Sequence, residues 1–383
     1  MSLVYNEEQQ QLDDSAREFL AARSPVAEQR RLRDDKVAEG FDSAIWQQML
    51  ELGWGGIDLP EADGGLEFGF QGFAPVFNHL GRNLAASPLL SSVVLCAELI
   101  NQLGSEEQRN AWLPGLIEGQ QRLALASHNN DRFRPEKLAV NASANGSDYV
   151  LDGADLWVPD GNLAATFLVA ARLNSGEAAV FLVPADSAGV RSEALQLLDS
   201  RNHARVSLKQ VAVLANARLG EQDASDALLR AFDRGAVCQA AELLGSSEVM
   251  FRMTIDYMKT RTQFNAPIGS FQALQHRAAW MHVELELARS AVLAGFEVLA
   301  NESANAEERQ QLVSLAKWKA GEAAHKISRE AVQLHGGIGV TDEYDLGLFV
   351  KRSRVAQALF GDSDYHCERY GQMAQQQSHA DKH

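Results

Sequence analysis

The feature that most constrains this chain lies beyond residue 226, where four stretches, 227–259, 271–301, 306–335 and 343–379, keep apolar residues at helical spacing. They are far too long for strands and are joined by short links. Their apolar faces can be buried compactly against one another, which predicts a four-helix bundle. The first link carries unusual chemistry. The helical run stops at Thr260-Arg261-Thr262, and Asn265, Pro267 and Gly269 supply turn residues. Ser270 is the expected N-cap, and the apolar period resumes through Phe271, Leu274 and Trp280. This link presents Arg261, a permanent forked cation, beside Gln263, Phe264 and Gln272. Such groups suit a phosphate, an aromatic ring and the edge of a heterocycle. An ordinary polar helix connection fits the same residues.

Upstream the chain divides into two further regions, giving expected domains 1–121, 122–225 and 226–383. The first reads as helical. Leu12, Ala16, Phe19 and Leu20 share one helical face, as do Ile45, Met49, Leu50 and Leu52. Ser105 begins a helix that Pro114 and Gly119 are expected to end. A glycine-rich connection at 52–69 is closed by Gly64-Gly65. The second region changes character. Short β-prone runs at 149–153, 165–170 and 178–184 are bounded by Gly, Asn, Asp and Pro, predicting a small sandwich or barrel rather than a parallel sheet. The class is therefore α+β, mostly α.

A second glycine-rich segment, Gln333-Leu-His-Gly-Gly-Ile-Gly-Val-Thr341, lies in the third region. Glycines 336, 337 and 339 let backbone approach a ligand and turn N–H groups toward an anion. No strand precedes it and no Lys-Ser/Thr follows, so it is neither a Rossmann turn nor a P-loop. A helix C-cap turn is the plain alternative.

The string from Arg261 to Gln275 resembles the R-x-x-F-G-x-x-I-x-x-F-Q-x-x-Q segment of the acyl-CoA dehydrogenases, with Asn265 at the glycine. Gln333 to Tyr344 resembles the same family's Q-x-x-G-G-x-G…T-x-E-Y/F segment at the right distance, and 41–126 resembles its amino-terminal domain. The resemblance implies that FAD is the cofactor, with Arg261 on the pyrophosphate of the neighbouring subunit's FAD. Phe264 and Gln272 would line the same cofactor, while Gln333, Gly336 and Gly337 would hold its adenosine end. It places Trp157 near the flavin ring, although a structural tryptophan reads equally well there. The family's T-E-P-x-x-G-S-D stretch is replaced by Ala126-Ser-His-Asn-Asn-Asp-Arg-Phe133. Ser127 and Asn129 or Asn130 remain as its hydrogen-bonding candidates.

Desaturation of an acyl-CoA removes a proton α to the thioester as hydride leaves the β carbon, so it needs a carboxylate base. The family holds a glutamate at one of two positions, which here are Phe360 and Gly235. Three acids stand nearby. Asp362 reads as a base, or as an N-cap or polar FAD contact, Glu242 as a base or a buried ion-paired acid, and Asp233 as a base or solvated surface. The pattern resembles a branch that often forms heteromers acting on steroid side chains or dicarboxylic acyl-CoAs. It implies an acyl-CoA substrate, a homo- or hetero-tetramer and an electron-transfer flavoprotein or similar acceptor. A structural subunit that only completes an FAD site, and a flavin monooxygenase on the same fold, are the alternatives.

Charge narrows the classes further. Lys and Arg total 35 against 51 acids, a net charge of −16, which disfavours nucleic acid and anionic lipid as partners. The start of the chain does not read as a signal peptide, and no apolar run is long enough to span a membrane, pointing to a cytoplasmic protein. Cys96, Cys238 and Cys367 lack metal or redox spacing and read as buried thiols in a reducing compartment. No metal site is expected.

Overall fold

The computed structural model describes residues 5–128 and 132–380. Helices α1 (Glu7–Arg23), α2 (Val26–Asp34), α3 (Ser43–Glu51), α4 (Phe73–Asn83), α5 (Glu98–Leu103) and α6 (Glu106–Ile117) come first, with a π-helical segment, Leu89–Ala97, leading into α5. Local capping explains several starts. Asn6 and Gln9 form a reciprocal capping box at α1, and Ser105 does the same with Gln108 at α6. Pro114, expected to end α6, lies inside it, and the chain turns instead at Gly119 with φ +75°. On the third helix Ile45, Met49 and Leu50 are buried, whereas Leu52 falls beyond its end and is exposed.

Strands β1 (Leu123–Ala126), β2 (Val140–Asn145), β3 (Asp148–Pro159), β4 (Thr166–Leu173), β5 (Ala178–Pro184), β6 (Val190–Ala194) and β7 (His203–Val213) form one mixed sheet. Most neighbours are antiparallel, but β1 and β2 follow one another along the same edge of β4, both parallel to it. The region expected as a small sandwich or barrel rather than a parallel sheet is one mixed sheet, with parallel pairing where β1 and β2 line β4. Hydrophobic alternation fixes the buried side, with Val140 and Ala142 facing in from β2, and Val206 and Leu208 from β7. They pack with Leu151, Phe167 and Phe181 in one apolar core.

The remaining helices are α7 (Ser225–Thr260), α8 (Gln272–Ala300), α9 (Ala306–His335), α10 (Leu346–Ala358) and α11 (Ser363–Ala380), with a short hairpin of β8 (Thr262–Gln263) and β9 (Ala266–Pro267) after α7. The fourth expected helix is thus two, broken where Phe360 and Gly361 take φ of +57° and +95°. Contacts divide the chain into two compact units. One holds α1, most of α2, α4 and everything from Ala236 onward; the other holds Leu32–Gly69 and Ala86–Gly235, including the sheet.

Within the first unit, α4 and α7 meet at backbone distance. A Cβ on Gly81 would lie 2.1 Å from the Glu242 carbonyl oxygen, and one on Gly245 2.0 Å from that of Asn78. The hydroxyl of Ser246 donates to Gly81 O at 3.1 Å, so the crossing is held by a hydrogen bond as well as by shape.

Candidate active site

The helix break after α7 is built as a tight hairpin. Arg261 N donates to Tyr257 O at 2.8 Å, closing the helix, and Ile268 N returns to Arg261 O at 2.8 Å. Between them Phe264 and Asn265 have φ of +52° and +61°, the pair of left-handed residues that a two-residue hairpin loop requires. Asparagine tolerates that conformation, which explains how Asn265 replaces a glycine. Phenylalanine does not, and Phe264 is also 90% exposed. Arg261, Gln263 and Gln272 are exposed beside it. Ser270 does not cap α8: its hydroxyl donates to Pro267 O at 2.7 Å, and Phe271 occupies the cap position without a side-chain bond.

The second glycine segment is equally open. Gln333, Gly336 and Gly337 are exposed, and a Cβ built on either glycine would meet nothing within 4 Å. Gly336 has φ 64° and ψ −139°, a combination reserved for glycine. Gly339 points the other way, its Cβ position lying 2.9 Å from His335 Cβ, so the turn winds around that histidine. These groups fit a dinucleotide: open backbone, an exposed guanidinium and a bare aromatic ring on one compact unit.

In the other unit, Ser127 is buried and its hydroxyl lies 2.7 Å from His128 Nδ1. His128 Nε2 sits 3.0 Å from Arg134 O, so it carries the proton and Nδ1 accepts from Ser127. Ser127 Oγ therefore keeps only acceptor capacity. His128 is wedged among Phe133 and Phe232, and burial lowers its pKa. Trp157 is half-buried on β3, its backbone N donating to His128 O at 2.9 Å. Asn129 and Asn130 lie outside the described residues.

Neither base position holds a carboxylate, and the neighbouring acids are occupied. Glu242 is 4% exposed, accepting from Arg352 Nε at 2.6 Å on one oxygen and from Arg352 Nη2 at 2.7 Å and Gln239 Nε2 at 2.8 Å on the other. That geometry matches its ion-paired alternative. Asp362 is exposed and accepts from Tyr365 N at 2.9 Å, the bond of an N-cap. Asp233 is 2% exposed, which corrects the expectation that its plain alternative is solvated surface. Next to Gly235, Arg234 is clamped between Asp58 at 2.5 Å and Glu98 at 3.3 Å.

The turn at Phe360 has a support that the sequence did not announce. Lys317, 1% exposed, donates to Ala356 O, Gln357 O and Gly361 O at 3.2, 3.0 and 2.9 Å. Three ammonium hydrogens thus meet three carbonyls at the end of α10. His366 Nε2 adds a bond to Phe360 O at 2.9 Å. Burial pulls Lys317 down to about 7, partly opposed by Asp362, and pushes His366 well below its usual range. Among the described residues there is no helix long and apolar enough to cross a membrane, and no cluster suited to a metal. Cys96 and Cys238 are buried as expected, whereas Cys367 is exposed.

Residues 6–120 match the family model described as acyl-CoA dehydrogenase, N-terminal domain, and 226–374 match that described as acyl-CoA dehydrogenase, C-terminal domain. The chain belongs to the acyl-CoA dehydrogenase family, flavoenzymes that use FAD to oxidise CH–CH groups. It is 31% identical over 341 residues to acyl-CoA dehydrogenase FadE27 of Mycobacterium tuberculosis, covering 88% of this chain and 89% of that one. The ChsE4–ChsE5 complex from Mycobacterium tuberculosis contains a chain that superposes with TM-score 0.87 at 30% identity, covering 97% of this chain and 98% of its own. A chain from a variant of the Tcur3481–Tcur3483 steroid ACAD gives TM-score 0.85 at 28% identity, with 97% and 99% covered.

Proposed function

We propose that this chain is the partner half of a heteromeric acyl-CoA dehydrogenase, with the proton-abstracting base carried by a homologous subunit. The observation that carries this reading is the turn at residue 360. It holds a phenylalanine where a base belongs, and buried Lys317 and His366 fasten the backbone so that Asp362 stays on its helix cap. Glu242, already committed to Arg352 and Gln239, is disfavoured as a substitute. Two heteromeric structural neighbours, one named a steroid ACAD, support both the assembly and a steroid-bearing acyl-CoA as substrate class.

Arg261, Phe264 and Gln272 would hold the FAD of a neighbouring subunit, with Gln333, Gly336 and Gly337 at its adenosine end, and Ser127 and Trp157 would each offer a contact to a flavin ring. Bound FAD supplies the hydride acceptor. Arg261 meets the pyrophosphate charge, and the open glycines admit the adenosine end. Ser127 offers an acceptor lone pair, and Trp157 an apolar edge. Exposure of Phe264 and Arg261 on one chain supports a site completed by assembly, in a tetramer. In the proposed division into 1–121, 122–225 and 226–383, Arg261 and the glycine segment fall in the third part, and Ser127 and Trp157 in the second. A cytoplasmic location and an electron-transfer flavoprotein as acceptor complete the proposal.

The test is anaerobic. The chain is purified alone and with a homologous subunit, and its visible spectrum is followed as short, long and steroid acyl-CoAs are added. Flavin that is retained and bleached only in the pair supports the proposal. Bleaching by the chain alone overturns it, and Asp362→Asn and Glu242→Gln then locate the base. Rapid reoxidation by oxygen with a hydroxylated product would instead indicate a monooxygenase.

A further inference from the structure

Both cofactor-facing segments converge on one buried side chain that the reaction itself does not use. His335 is 2% exposed and immediately precedes the open glycines. Its ring stacks on Tyr257 with centroids 4.6 Å apart and planes at 27°. On another side it meets Tyr344, 5.1 Å between centroids, with Nε2 sharing a 3.2 Å hydrogen bond with the tyrosine hydroxyl. Nδ1 lies 2.8 Å from Ala331 O, and a carbonyl cannot donate, so Nδ1 carries a proton.

Each contact belongs to a different part of the proposed surface. Tyr257 provides the carbonyl that receives Arg261 N, so the residue stacked on His335 also anchors the hairpin of Arg261 and Phe264. Ala331 lies one turn back along α9, and the bond to it fixes the ring against its own helix. Tyr344 follows the Gly336–Val340 turn and closes it from beyond. Gly339 folds over the histidine so closely that a side chain there would strike it.

We propose that His335 is the positioning residue that locks the Arg261 hairpin and the Gly336–Val340 turn into one preformed FAD-facing surface. This rests on the cofactor reading above. Without the ring, the hairpin loses its direct aromatic link through Tyr257 to the end of α9, and the glycine turn loses the body it wraps. Preorganisation matters because an ordered surface does not lose that freedom when it binds.

Amide hydrogen exchange on the full chain without flavin tests the proposal directly. In His335→Ala, exchange should quicken about tenfold or more in both 261–271 and 336–345, while the β-sheet stays at its wild-type rate. Acceleration confined to 336–345 would overturn it, since His335 would then serve its own turn alone. If His335→Ala loosens the whole unit, Tyr344→Phe decides, with a smaller acceleration of about threefold expected in the same two segments and no change overturning the claim. FAD retention in Arg261→Gln reports the cofactor reading separately. Linked exchange together with undiminished FAD binding in Arg261→Gln would sink that reading and leave the positioning result standing.

Discussion

Phe264 and Phe360 both hold left-handed φ, 52° and 57°, where an aromatic side chain is rarely found. Their surroundings are opposite. Phe264 is 90% exposed on a two-residue hairpin, held by the geometry of the turn and by the helix ends on either side. Phe360 is half-buried and fastened from beneath, its own carbonyl bonded to His366 and that of Gly361 to Lys317. Strain of this kind persists only where surrounding structure overdetermines it. At the hairpin the result is an open, solvent-facing surface. At the helix break it is a closed turn, fixed in place although its residue cannot act as a base.

The largest effects should come from the buried side. Arg352→Met leaves the Glu242 carboxylate buried without its fork, and should cost about 3–5 kcal/mol in denaturant unfolding. A loss below about 1 kcal/mol would mean that Glu242 is not held as described, reopening its role as a base. Lys317→Met strands three carbonyls at the end of α10 and should cost roughly 2–4 kcal/mol, partly offset because no charge is then buried. Little change would equate the two turns in their dependence on tertiary contacts.

pH sharpens the same contrast. Lys317 releases its proton at about 7 in the folded chain, against 10.5 for the ordinary lysine. Between those values the unfolded state binds more protons, so this residue makes stability rise with pH across that window. The difference in pH slope between wild type and Lys317→Met isolates that contribution, and equal slopes would refute it.

Smaller changes belong to local geometry. Asp362→Ala removes a cap and should cost about 1 kcal/mol, measured by thermal or denaturant unfolding. At the hairpin, Phe264→Asn relieves left-handed strain and should gain up to about 1 kcal/mol while weakening FAD retention. A variant that is both more stable and equally good at holding flavin would remove the functional reading of that strain.

Much of the site was legible because short-range chemistry writes itself into adjacent residues. The turn residues around Arg261, the glycines at 336, 337 and 339, and the missing carboxylate at 360 are all visible in single short segments. Ser270 misled because its hydroxyl found the Pro267 carbonyl instead of the helix, a choice between two local bonds that spacing cannot rank. The break at Phe360–Gly361 was signalled by Gly361 and by the N-cap reading of Asp362, but apolar spacing on both sides still read as one helix.

By itself the sequence determined the helical third region, the intervening strand-rich region, the family, and the absence of a glutamate at either base position. These follow from periodicity, turn chemistry and residue identity, which act over a few positions. Only the tertiary structure decided which distant groups Glu242, Lys317 and His335 meet. Arg352 is 110 positions from Glu242, the Gly361 carbonyl 44 from Lys317, and Tyr257 lies on a different helix from His335. Burial makes those pairings strong, and no local pattern encodes which distant group will be the partner.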